Sequence, residues 1–119
     1  MKYTMVLSDR HPAPANWGAV FDNGMHIPFD RPYNEIVRIL EKQAERRIPH
    51  NATELVVYMT GLKAYRDALY KVAIKRGLRL KCMRIKTYEL EGAPITKGYA
   101  KDPGNYYVSG YYNPPGNEE

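Results

Sequence analysis

The sequence predicts an α/β domain built on a mostly parallel sheet, and three observations predict it. Short β-prone runs alternate with stretches of helical periodicity in the order strand, helix, strand, helix, strand. One of those runs, "ELVVYM" at 54–59, is apolar throughout, the pattern of a strand covered on both faces. The chain has 119 residues, the size of one domain, and can bury roughly two thirds of its unfolded surface without a metal or disulfide staple. A right-handed crossover between parallel neighbours is then the default connection.

The elements follow in chain order. "KYTMVL", 2–7, carries Tyr, Thr and Val and is a strand candidate. A loop from Ser8 to Gly18 comes next. "GMHIPF", 24–29, reads as a second extended piece, and Pro28 confines it to an edge or a connection. Pro32 suits a helix start. In "YNEIVRILEKQAERR", Ile36, Val37, Ile39, Leu40 and Ala44 gather on one side at helical spacing. Glu35 in the first turn and Arg46 and Arg47 in the last agree with the helix dipole. After 54–59 the chain breaks at Thr60-Gly61. "LKAYRDALYKVAIKR" then places Leu62, Tyr65, Leu69, Val72, Ala73 and Arg76 on one stripe, with Gly77 beyond it as a C-cap. "LRLKCMRI", 78–85, is the next strand, and its alternation leaves its faces undecided. Past Lys86, "TYELEGAPITKGYA" could be a hairpin, and "DPGNYYVSGYYNPPGNEE" lacks core periodicity. The expected organisation is one α/β domain over 1–97 and a Tyr/Gly/Pro-rich C-terminal extension over 98–119.

Composition narrows the class. The formal charge is +5, and the cations crowd the middle of the chain, from Arg38 to Lys86, with Glu41, Glu45, Glu54 and Asp67 as the only acids among them. That bias suits an anionic partner such as a nucleotide or RNA, and equally a solvated basic surface. Cys82 is the only cysteine, so no internal disulfide or zinc site is expected and a reducing compartment is the simpler reading. No apolar run is long enough for a membrane span, and "MKYTMVLSDR" turns polar too early for a signal peptide. A cytoplasmic protein without a membrane partner is expected.

Parallel sheets bind ligands beyond the carboxyl ends of their strands, where two polar segments fall. The first is Ser8-Asp9-Arg10-His11, with Trp17 following. Ser8 and Arg10 can hold phosphate oxygens, His11 can move protons near neutral pH, and Trp17 can stack on a base. The plain alternatives are that His11 only fixes the loop and that Trp17 is core. The second is Thr60-Gly61-Leu62-Lys63. Gly61 allows close backbone approach, the helix start offers free N–H groups, Thr60 a hydroxyl and Lys63 a charge. A strand-to-helix turn with one glycine is also a common structural element, and neither a Walker loop nor a dinucleotide fingerprint is present. His26 and His50 lack metal-ligand spacing, so no metal site and no cofactor are expected.

The series "LSDRHPAPANW", "HIPF", helix, "LVVYMTGL", helix, "KRGLRLKCMRI" resembles the small single-domain CRISPR-associated proteins with a Rossmann-like, CARF-type fold. The likeness rests on Ser8, His11-Pro12, Trp17, Ile27-Pro28-Phe29, Thr60-Gly61 and Gly77-Leu78, and covers roughly residues 3–86. It implies a Rossmann-like, mostly parallel sheet flanked by helices. It also implies a ring nuclease that binds cyclic oligoadenylate, with four or six adenylates, and opens it without a metal. In that reaction a ribose 2′-hydroxyl attacks its own phosphate and leaves a 2′,3′-cyclic phosphate. A homodimer with the ring on its two-fold axis is implied as well, and no DNA partner. Under this reading His11, Arg10 and Lys63 are the catalytic candidates, and Ser8, Asp9, Trp17, Thr60, Gly61 and Leu62 the ligand-binding ones. Two alternatives stand beside it: a cyclic-nucleotide sensor or sponge that does not cut, and a basic RNA-binding or interaction protein.

Overall fold

A computed structural model describes residues 1–10, 12–22, 27–60, 62–86 and 97–115. Strands β1 (Lys2–Ser8), β2 (Gly18–Phe21), β3 (Glu54–Tyr58), β4 (Arg79–Ile85) and β5 (Tyr106–Tyr112) form one five-stranded sheet in the order β2-β1-β3-β4-β5. The first four are parallel and β5 runs antiparallel to β4. The α/β class and the mostly parallel sheet are as the sequence predicts.

Helix α1 (Tyr33–Arg47) begins where Pro32 suggests. The Pro32 carbonyl accepts the N–H groups of Glu35 at 3.0 Å and Ile36 at 3.1 Å. The buried face is Ile36, Val37, Leu40 and Ala44, whereas Ile39 is turned partly outward. Helix α2 (Lys63–Arg76) buries Ala64, Tyr65, Ala68, Leu69, Val72 and Ala73, and closes on Gly77 with φ 64° and ψ 33°. That left-handed C-cap is the conformation in which glycine has no Cβ penalty.

The two long helices pack against each other and share one face of the sheet. Met5, Leu7, Leu55, Val57 and Leu80 meet them there. Each large side chain removed from water in this way contributes roughly 1.5–3 kcal/mol before entropy is counted. Both long helices lie on that side. The handedness of the crossovers explains why they share it. From β2 to β3 and from β3 to β4 the chain moves across the sheet in one direction, so right-handed connections put both helices on the same face. From β1 to β2 it moves the other way, and the same rule sends the connecting loop over the opposite face.

That opposite face carries a second, smaller core of Val56, Met83 and Tyr106, with Trp17, Tyr58 and Ile85 packed against it. Trp17, at the end of the β1–β2 loop, meets Tyr106 edge-on with ring centroids 4.8 Å apart. Tyr58 meets the same ring at 4.9 Å. The Tyr106 hydroxyl donates to the carbonyl of Ala100, 2.6 Å away, at the end of the short helix α3 (Lys97–Ala100).

Three segments depart from the sequence reading. The strand beside β1 is "GAVF", 18–21, immediately after the Ser8–Gly18 loop. In the expected extended piece at 24–29, residues 24–26 lie outside the described residues and Ile27-Pro28 is not in a strand. Part of the expected C-terminal extension, 106–112, is β5 and belongs to the same sheet. The expected hairpin after Lys86 lies mostly outside the described residues.

Candidate functional site

The parallel strands β1, β3 and β4 end on one edge, so the loop after Ser8 and the turn after Tyr58 open on the same side of the molecule. Ser8 is fully buried, and its Oγ accepts the N–H of Arg10 at 3.3 Å. The hydroxyl therefore shapes the turn that presents Asp9 and Arg10, both of which are exposed. This turn lies beside the first turn of α2. Burial is what mainly raises the Tyr65 phenol above its ordinary value, and the charges of Arg10 and Asp9 act on it in opposite senses. Tyr65 is itself fixed by Phe21, the last residue of β2, whose ring stacks on it at 4.7 Å and 11°.

The start of α2 is uncapped. Leu62 stands in the capping position with extended backbone and supplies no side-chain hydrogen bond. The Tyr65 N–H is taken by the Leu62 carbonyl at 3.0 Å, which leaves the N–H groups of Lys63 and Ala64, without a partner inside the helix, as the ones that can meet an anion. Thr60 lies just before this helix, near Tyr58, whose phenol is pushed up mainly by burial, with the Thr60 side chain acting in the opposite sense.

Lys63 has neighbours that the sequence reading did not assign. Its Nζ is 2.8 Å from Asp67 Oδ2, one turn on, and 5.2 Å from the centre of the Tyr33 ring at the start of α1. The Tyr33 hydroxyl also bonds to Asp67. The hydrogen bond to Asp67 is the main cause that holds the Lys63 ammonium above its usual value. Lys63, then Tyr33, hold the Asp67 carboxyl below its own. The Lys63-Asp67 pairing at i, i+4 was visible in the sequence; the Tyr33 contact depends on how α1 packs on α2.

The expected cluster is thus brought together in part. Asp9 and Arg10 lie near Tyr65 in the first turn of α2, and Ser8 and Thr60 leave the same edge because β1 and β3 run in parallel. Trp17 does not join them. It precedes Gly18, which pairs with Met5, while Ser8 pairs with Phe21 at the other end of the strand pair. The ring is held in the second core instead. His11 and Gly61 lie outside the described residues. Cys82 is half-buried, and burial pushes its thiol up, so it is a poor nucleophile. Among the described residues no group of His, Cys, Asp or Glu side chains could hold a metal ion, and no helix is long and apolar enough to cross a membrane.

At the other end of the strands the fold makes a cavity that the sequence reading missed. It has a volume of about 410 Å³ and is lined by Glu54, Arg79, Lys81, Tyr111 and Asn113. The signal available in the sequence was the spacing of Arg79 and Lys81, two apart on a strand and hence on one face. Their convergence with Tyr111 required knowing that β5 pairs with β4.

Compared with known protein families, with curated proteins and with solved structures, the chain gives no significant match to any of them.

Proposed function

We propose that this protein binds a phosphate-bearing nucleotide at the carboxyl edge of its parallel sheet, and that the ligand is a cyclic oligoadenylate, which it opens by metal-independent cleavage. The observation that supports this reading best is the uncapped start of α2 beside the exposed Arg10 turn. Free helix N–H groups and a guanidinium together suit a phosphodiester. The choice of cyclic oligoadenylate rests on the sequence resemblance.

Under this reading each group has a task. Opening the ring requires a 2′-hydroxyl in line with the bond that breaks, charge stabilisation on the phosphate, and a path for the proton. Arg10 neutralises the growing charge on the phosphate oxygens. The start of α2 cradles the same oxygens. His11 takes the 2′-hydroxyl proton or returns one to the leaving 5′-oxygen. Buried Ser8 holds the Arg10 turn in shape. Lys63 contributes to the phosphate only by exchanging Asp67 for it.

One observation favours the non-cutting alternative, a sensor or sponge. The hydroxyl of Ser8 and the ammonium of Lys63 are already engaged within the protein. The proton-transfer step then rests on His11 alone.

Incubation with cyclic tetra- and hexaadenylate in EDTA, followed by chromatography, separates these readings. Linear products ending in a 2′,3′-cyclic phosphate are expected. His11→Ala should slow their formation with affinity retained, and Arg10→Ala should weaken both. Intact ligand that co-elutes with the protein would move the conclusion to the sensor. Intact ligand that does not bind would overturn both nucleotide readings.

A further inference from the structure

The cavity at the amino edge of the sheet has a chemistry set by strand register. Glu54 pairs with Arg79, Val56 with Lys81, and Lys81 with Tyr111. Alternation along the strands places Glu54, Arg79, Lys81 and Tyr111 on one face, that of Val56 and the second core. Two cations therefore share the cavity with one carboxylate. Glu54 Oε2 lies 3.4 Å from Lys81 Nζ. Arg79 takes part in no ion pair among the described residues, and its buried Nε has no hydrogen-bond partner there.

With no carboxylate paired to it among the described residues, the Arg79 guanidinium keeps its charge for an anion, which would meet the terminal nitrogens rather than the enclosed Nε. The wall beside the cations is flat and aromatic. Lys81 Nζ sits 6.0 Å from the centre of the Tyr111 ring, and Tyr111 is 67% exposed. Asn113 adds an amide that can both donate and accept. The volume falls within the range of roughly 300–1,000 Å³ typical of small-molecule sites.

We infer that this cavity is a second binding site, for a small planar anion of the nucleoside monophosphate class. The phosphate is held by Arg79 and Lys81, with Arg79 supplying a planar fork of donors. The base lies on Tyr111, as bases stack on exposed aromatic rings without regard to sequence. Asn113 meets the polar edge of the base or the sugar. Glu54 competes with the phosphate for Lys81 and so limits affinity. The site is independent of the carboxyl-edge reading, because β3 and β4 separate the two ends.

The test is calorimetric titration of the full chain with AMP, with adenosine and inorganic phosphate as separate probes and amide chemical shifts to locate the contact. AMP should bind with one-to-one stoichiometry and shift the amides of Arg79, Lys81, Tyr111 and Asn113. Adenosine should bind about tenfold or more weakly, and Lys81→Met should cost a similar factor. Tyr111→Ala should weaken AMP by at least about fivefold, and its exposed position makes a folding failure easy to detect by melting temperature. Glu54→Gln should tighten binding. Absence of AMP binding, equal binding of adenosine, or shifts confined to Asp9 and Arg10 would each overturn the inference. Tyr111→Ala should leave the oligoadenylate assay unchanged, so the two sites fail separately.

Discussion

Gly77 shows how one residue's backbone can be tested in isolation. It alone among the described residues has a positive φ, and a Cβ built there would meet nothing within 4 Å. Gly77→Ala should therefore lose about 1 kcal/mol from backbone strain, with no steric contribution, and Gly77→Asn less. Urea unfolding would check this through a lowered midpoint at unchanged slope; an unchanged midpoint would refute it. The Tyr33-Lys63-Asp67 cluster yields a pH effect. The Asp67 carboxyl is held below its ordinary value of 3.8, chiefly by its hydrogen bond to Lys63. Its contribution to stability is complete above the unfolded value and is lost as pH falls through the lower folded one. Tyr33 and Lys63 are both raised, so their contributions fade only at alkaline pH. Within this cluster, the acid limb thus reports on Asp67 alone. Asp67→Asn should flatten the decline of the urea midpoint below about pH 4. A wild-type slope in that variant would assign the decline to other carboxyls.

At the scale of elements, β5 is the segment whose role its own sequence hides. Only Tyr106 of its seven residues is buried, so there is no alternation to read. The ring nevertheless holds the second core together by meeting both Trp17 and Tyr58. Tyr106→Phe should cost about 1 kcal/mol, the worth of the hydrogen bond to Ala100. Tyr106→Ala should cost about 3 kcal/mol or more and shift Trp17 fluorescence toward that of a hydrated indole. Equal losses in the two variants would deny the packing role. Strand β2 was hidden for a different reason. "GAVF" is too short for a period to emerge, and its pairing with β1 is specified by the crossover of the preceding loop. Both long helices were legible because burial of one face imposes a 3.6-residue period, and Pro32 and Gly77 mark the limits of that pattern.

Over the whole molecule, the carboxyl edge was legible and the amino edge was not. Parallel topology alone brings the loop after Ser8 and the turn after Tyr58 to one side, so their meeting follows once β1 and β3 are recognised. What the sequence does not contain is the partner list of each side chain. Ser8 is a sensible phosphate ligand by type, yet it is buried beneath its own turn. Trp17 is a sensible stacking residue by type, yet the handedness of the β1–β2 crossover carries it to the second core. The Arg79-Lys81 cavity needs three strands in register, and one of them comes from the far end of the chain.

The shift in pairing between Cys82 and Met83 has a consequence for how these molecules meet one another. It leaves Ser109 as an extra residue in the edge strand, and the Ser109 hydroxyl donates to the Cys82 carbonyl at 3.1 Å. An outermost strand offers a row of unpaired N–H and C=O groups, a template on which another chain could lengthen the sheet. A bulge bends that row and spoils its spacing, and Pro114 and Pro115 follow directly after Asn113 without any N–H to offer. The border that carries exposed Tyr107 and Val108 is thereby guarded against runaway stacking of copies, while their side chains stay open to solvent.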